Sequence, residues 1–256
     1  ESSAASDVYK RQTTRSWPST WAWTSTGTSA VAEATETDVP AGGPRFDREP
    51  ALSVALSVGL SLLLTWLAVW GWPRLRARLL DVGSSPDEQA RELPGDELLP
   101  EADLVATRAV SIAAPPEAVW PWLVQIGTGR AGAYSYDWLD RLMGLDMHSS
   151  WHIVPELQEL AVDDVIPVAN DGSGLRVRRL EPARVLGTRT DDDAWAWTWV
   201  LEPEDGGTRL LSRTRMITRE QSLAGRIGVE LLLIPASWLM ERKMLQGLRQ
   251  RAEGTP

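Results

Sequence analysis

Hydrophobic positions along this chain follow three regimes. The first is an unbroken run, ALSVALSVGLSLLLTWLAVWGW at 51–72, with no charge in 22 residues. At a rise of 1.5 Å per residue it is about 33 Å long, enough to cross a hydrocarbon core. It predicts one transmembrane helix. A secretory signal would have a shorter apolar region ending in small residues, whereas this run ends in Trp66, Trp70 and Trp72, which suit an interfacial belt. Ser53, Ser57, Ser61 and Thr65 recur every four residues on one face. They either admit a second helix at close range or, more simply, are small polar residues tolerated in a single span.

The second regime is alternation. Leu104–Ile112 reads as a strand, and five more short runs begin at 165, 175, 185, 195 and 207, separated by NDGSG, EPAR, DDD and PEDG. They predict an antiparallel meander. Between the first strand and the rest, Pro115 and Pro116 open a short helix with Val119, Leu123 and Ile126 on one side, and 136–143 reads as another. The third regime is the helical period of 219–251, where Leu223, Ile227, Leu231, Ile234, Trp238, Leu245 and Leu248 share a side. Pro235 is expected to kink it. Arg226 and Glu230 interrupt its apolar stretch, so a helix buried on the sheet is preferred to a second span.

The 195–202 strand carries Trp195, Trp197 and Trp199 at every second position, in a chain with 14 Trp and one Phe. If PEDG is a four-residue loop, Glu202 faces Gly207, and the three Trp oppose Thr214, Ser212 and Leu210. The other face then holds Arg209, Arg213 and Arg215, which belong in water, so the Trp face the terminal helix. A close-packed core of Trp, Leu231 and Trp238 is one reading of that side. Hydroxyls beside indoles suit an amphiphilic pocket better.

Composition narrows the classes. Zero Cys excludes a disulfide framework, a thiolate nucleophile and Cys-ligated zinc, and a net charge of −9 argues against nucleic acid as a partner. Twenty-four Arg against two Lys suggests a high-GC bacterial genome. Residues 1–12 resemble a translated library adapter and are set aside as an artefact; 13–50 show no sustained period and read as disordered or noncoding. Residues 73–103, with seven acids in 84–103, read as an exposed acidic linker with a short helix near 87–93, followed by a single domain over 104–253. Arg45 and Arg48 precede the span, and Arg74, Arg76, Arg78 and Arg91 follow it, which places that domain in the cytoplasm of a single-pass protein of the bacterial membrane.

The segments SIAAPPEAVWPWLVQIG, GRAGAYSYDWLDRLMG, HIVPELQELAVDD and WVLEPEDGGTRLLSRTR, ahead of a long terminal helix, resemble the START-like (SRPBCC) polyketide cyclase/dehydrase-like superfamily in its actinobacterial form. The resemblance covers 93–253. It implies an α+β helix-grip fold, a curved antiparallel sheet around the C-terminal helix with a cavity between them for lipids, polyketides or other apolar molecules.

GTGRAG at 127–132 matches the dinucleotide fingerprint but follows a helix instead of a strand, so a flexible loop at the cavity mouth is preferred. His148, His152 and Glu156 share a four-residue spacing, yet Pro155 disfavours the helix that a metal site there would need. No metal or cofactor is expected. Arg130, Tyr134, Tyr136, Asp137 and Trp138 form the densest polar group, and the resemblance sets them by the cavity entrance. Either Arg130 and a Tyr receive a ligand, or Arg130 pairs with Asp137 to fix the loop. The candidate ligand-binding set is therefore Trp195, Trp197, Trp199, Leu210, Ser212, Thr214, Trp238, Arg130, Tyr134, Tyr136 and Asp137. Non-catalytic binding of an apolar or amphiphilic molecule by a membrane-anchored domain leads. The alternatives are a cyclase or dehydratase using Asp137, His148, Tyr134 or Tyr136, and an interaction module with a self-filled cavity. Oligomeric state is left open.

Overall fold

The structure, a computed structural model, describes residues 48–254. The expectations for 1–12 and for most of 13–50 lie outside the described residues. Helix α1 (Arg48–Trp66) passes through a π-turn at Leu67–Gly71 into α2 (Trp72–Leu80). Ser57, Ser61 and Thr65 donate their hydroxyls to the carbonyls of Val54, Ser57 and Ser61, so these three polar groups are satisfied within their own helix. The π-turn sits directly before Pro73. A proline lacks the N–H of its turn and presses on the carbonyl four residues back; widening the turn, so that the Trp72 N–H reaches the Leu67 carbonyl, relieves both. The terminal helix solves the same problem in the same way. Between α6 (Leu223–Gly228) and α7 (Ile234–Ala252), a π-turn at Val229–Leu233 precedes Pro235, and the Ile234 N–H reaches the Val229 carbonyl. The expected kink is thus taken up as an extra residue in one turn.

Six strands form one antiparallel sheet: β1 (Leu104–Ile112), β2 (Val165–Pro167), β3 (Gly174–Glu181), β4 (Val185–Arg189), β5 (Trp195–Glu204) and β6 (Gly207–Met216), in the order β1-β6-β5-β4-β3-β2. Strands β2 to β6 are the expected meander, and β1 returns to pair with β6. Helices α4 (Pro116–Val124) and α5 (Asp137–Leu142) lie between β1 and β2 in the chain. The inner face of the sheet packs on α4 and α7 through Ile112, Leu123, Leu186, Trp199, Leu201, Leu210, Leu245 and Leu248. This is the helix-grip arrangement, α+β, with the long C-terminal helix held against the sheet.

The pairing of β5 and β6 differs from the expectation by two residues. The strands run on to Glu204 and Gly207, leaving Asp205 and Gly206, with Gly206 at φ 79°, as a two-residue turn. Trp195, Trp197 and Trp199 therefore oppose Met216, Thr214 and Ser212, and Leu201 opposes Leu210. Asp-Gly is itself a strong short-turn signal and needed no help from Pro203 and Glu204. Because side chains alternate with period two, an even shift keeps the Trp on the inner face.

The outer face corrects two expectations together. The acidic segment is not an exposed linker. Leu93 and Leu99 are buried, and Leu93 joins Ala109, Val185, Val200 and Leu211 in a second apolar cluster. Nor are the outer Arg in water. Arg213, 3% exposed, donates to the Asp96 carboxylate at 2.6 Å and to the carbonyls of Glu88, Gln89 and Arg91. Arg215 donates to the Leu99 carbonyl, and Arg209 binds Glu88 and the Gly83 carbonyl. Helix α3 (Pro86–Ala90), capped by a reciprocal Ser85 and Glu88 pair, brings Glu88 to Arg209. Gly95, at φ 100°, passes so close to Thr198 that a Cβ there would sit 2.5 Å from its hydroxyl. Acid in the segment and Arg on the strand are two halves of one layer.

Two outcomes follow from that layer. Asp96→Ala leaves a buried guanidinium without its counter-charge and is expected to cost about 3 kcal/mol in denaturant unfolding of the full chain, with Asp96→Asn costing less. The Arg209 hydrogen bond holds the Glu88 carboxyl down at about 2, from an ordinary 4.5. A depressed carboxylate stabilises fully above its unfolded value and loses that contribution as pH falls through its folded one. Unfolding followed between pH 5 and 2 is expected to show a decline that Glu88→Gln makes shallower.

Candidate functional site

Alternation on β1 places Leu104, Ala106 and Arg108 on the inner face, and the helical period of α7 places Ile234, Ser237, Glu241 and Met244 opposite them. Between these rows lies a cavity of about 360 Å³. Trp195, Trp197, Thr214 and Met216 line it from the sheet, Met147 and Val168 from loops, and Leu80, Leu233 and Ile234 from the helices. Most of its walls are apolar. Met143 and Leu233 are its exposed lining residues, at 58% and 40%, and mark the rim.

One wall is ionic. Arg108, 1% exposed, donates Nη1 to Glu241 Oε2, Nη2 to Ser237 Oγ at 3.1 Å, and both Nε and Nη2 to the Leu79 carbonyl. Glu241 Oε1 accepts the Ser212 hydroxyl at 2.5 Å, and Ser212 Oγ accepts the Trp197 indole N–H at 2.8 Å. Burial pushes the Glu241 carboxyl up from 4.5, opposed by Arg108 and Ser212. A second carboxyl, Asp140 of α5, reaches the cavity beside Ser135, which donates to it at 3.1 Å. Burial raises Asp140 from 3.8 against the Ser135 hydrogen bond, and the neighbouring Asp137 raises it further. Arg108, Glu241 and Asp140 were not among the expected site residues. For the first two the signal was present: Arg108 stands in the inward row of its strand, which is otherwise apolar, and Glu241 interrupts the apolar stripe of the last helix.

The expected residues divide. Trp195, Trp197 and Thr214 line the cavity, and Ser212 lies behind it in the polar chain. Trp199, tilted against Trp197 at 4.4 Å, and Leu210 belong to the close-packed core. Trp238 is not among the lining residues: it packs against the cluster of Leu79, Leu80, Leu104, Ala106, Val229 and Ile234, with Arg242 over its ring. The 130–138 loop is pinned to itself, without the Arg130 to Asp137 pair. Arg130 donates to the carbonyls of Val124 and Ile126, while Asp137 accepts the N–H and hydroxyl of Ser149. Tyr134 is buried under Arg251, with its hydroxyl on the Trp122 carbonyl and Gln125; burial pushes that phenol up to about 12. Tyr136 stands at the start of α5 with its ring edge-on to Trp138.

The glycine loop is tight rather than flexible. Gly127 and Gly132 bridge each other, and a Cβ on Gly132 would lie 2.7 Å from the Ser149 nitrogen. His148 is exposed beside Asp146 at 3.1 Å, and His152 and Glu156 are exposed as well. Among the described residues no group of three His, Asp or Glu is placed to hold a metal.

No family model matches the chain, and no curated protein does. Among solved structures it is similar to a polyketide-cyclase-like protein of Corynebacterium glutamicum, at 18% identity over 57% of this chain and 89% of that one, with a TM-score of 0.38. A Mesorhizobium loti protein matches at 19% identity over 60% and 99%, with a TM-score of 0.35. Aha1 of Colwellia psychrerythraea, solved as a dimer, matches at 14% over 59% and 96%, with a TM-score of 0.34.

The ionic wall makes its own prediction. Glu241→Ala strands Arg108 in an apolar surround and is expected to cost about 3–5 kcal/mol by denaturant unfolding, whereas Arg108→Met with Glu241→Leu is expected to be near neutral or stabilising. An equal loss in both would mean that the pair does more than neutralise itself.

Proposed function

We propose that the protein binds an apolar or amphiphilic small molecule, a lipid or polyketide-like compound, between its sheet and its C-terminal helix, as a membrane-anchored member of the START-like superfamily in its actinobacterial form. The carrying observation is the open cavity of about 360 Å³, within the usual range for small-molecule sites, with Trp238 outside its lining. Its polarity supports an amphiphile. Apolar walls of Leu, Met and Trp favour a hydrocarbon portion, and Arg108, Glu241 and Asp140 are ionisable groups in the lining that a polar group could meet. The Trp195 indole N–H is buried with no partner in the protein, which leaves a donor for a guest's acceptor.

Anchoring rests on the helix Leu52–Leu80, whose 29 residues have a mean hydropathy of 2.1 in their most apolar stretch, with Leu56 73% and Leu62 66% exposed. Internal satisfaction of its hydroxyls suits hydrocarbon. The flanking Arg set the domain on the cytoplasmic side of a single span. The other long apolar helix, Leu223–Ala252, was expected to lie buried on the sheet; only its C-terminal half does so, through Met244, Leu245 and Leu248, and its most apolar stretch is 11% buried.

A second reading, an acid-base enzyme, is favoured by one observation. Asp140 is a carboxyl in the cavity wall whose buried setting favours its protonated form. The groups first considered for that role, Asp137, His148, Tyr134 and Tyr136, do not line the cavity.

Dansyl-labelled undecanoic acid added to the full chain in detergent is expected to show energy transfer from Trp195 and Trp197. Thr214→Phe, which puts a ring into the cavity, is expected to weaken binding at least tenfold while leaving the thermal unfolding midpoint close to that of the parent. Absence of transfer at every probe concentration would sink the binding reading. Turnover of a polyketide substrate that is abolished by Asp140→Asn would move the assignment to the enzyme.

A further inference from the structure

Large apolar side chains outside the anchor are exposed on two elements that meet the cavity rim. Leu223, Ile227, Leu231 and Leu232 of the terminal helix are exposed at 74, 51, 57 and 72%, and Leu142 and Met143, at the end of α5, at 76 and 58%. Leu233, next in the chain, and Met143 both line the cavity. Exposed apolar side chains gathered next to the lining of a cavity mark a contact site.

The level of this surface relative to the anchor is set by two sets of contacts. Glu230 accepts from Trp72 Nε1 at 3.2 Å and from Arg76 Nε at 2.8 Å. Further along both helices, Leu79 and Leu80 cluster with Ile234, and the Leu79 carbonyl and Ser237 share Arg108. The two helices therefore run side by side in the same direction. Leu223 is seven residues before Glu230, about 10 Å back along its helix. That returns it alongside the stretch of the anchor that holds Trp66 and Trp70. Leu223, Ile227 and Leu231 also border a cleft of about 470 Å³ whose other residues include Arg76, Arg226 and Glu230. Apolar and ionic groups share this cleft, as at the boundary between acyl chains and headgroups.

Resting on the anchored reading above, the geometry points to a lipid bilayer as the occupant of this surface. Helix α6 and the π-turn after it lie in the headgroup boundary of the leaflet that the anchor leaves, and seat the cavity rim at Leu233 and Met143 against it. A guest then passes between leaflet and cavity without crossing water. The two paired helices hold the rim at that depth.

The chain has no Cys, so single labels report cleanly. The full chain would be reconstituted in vesicles of phosphatidylglycerol and phosphatidylethanolamine, with an environment-sensitive fluorophore on Val58→Cys, Ile227→Cys, Leu232→Cys or, in an exposed turn, Ser173→Cys. Labels at 58, 227 and 232 are expected to emit blue-shifted and to be quenched by nitroxide lipids, and the label at 173 to be quenched by aqueous iodide alone. Adding Leu231→Asp to the 227-labelled chain is expected to remove the lipid quenching; Leu231 is exposed, so the fold should tolerate it. If 58 reports lipid while 227 and 232 report water, the seating is wrong and the anchor stands. If 58 also reports water, the anchored reading falls with it.

Discussion

The ion pair of Arg108 and Glu241 ties together most of what the domain is built from. Through it, β1 holds α7, α7 reaches β6 by Ser212 and β5 by the Trp197 indole, and the end of α2 is captured by its Leu79 carbonyl. Removing either charge from water is costly, so the pair is maintained only while all five elements are in place. An apolar core of similar volume would hold the elements as well. The pair instead puts a polar stretch into the wall of the cavity.

Much of the architecture was legible because both periodicities are strong. The alternation from 165 to 216 and the terminal helical stripe locate the sheet and the helix that grips it, and a bulky Trp row facing inward follows from either register. The faults came where a plausible rule was applied to one half of an interaction. Arg209, Arg213 and Arg215 look like surface residues, and DELLPEAD looks like a solvated tether. Each is buried because the other covers it, and no period in the chain connects 96 with 213. The same limit explains the missed Arg108 and Glu241. A charge at an inward position reads as an exception until a second exception is set against it, and these stand 133 residues apart. Conversely, Arg130, Tyr134 and Asp137 are close in sequence and chemically versatile, yet they spend their hydrogen bonds on shaping a loop.

The outer acidic layer also alters how the N-terminal helix and the sheet are joined. A tether would let the domain swing freely above a bilayer. Instead the helix continues to Leu80, and its last two residues are buried in the domain. On the anchored reading, helix and domain form one lever. A bilayer thinner than the apolar stretch makes such a helix tilt. The tilt would be passed on undiminished, turning the whole sheet relative to the membrane plane, so that lipid composition alone could alter the angle at which the cavity meets its surroundings.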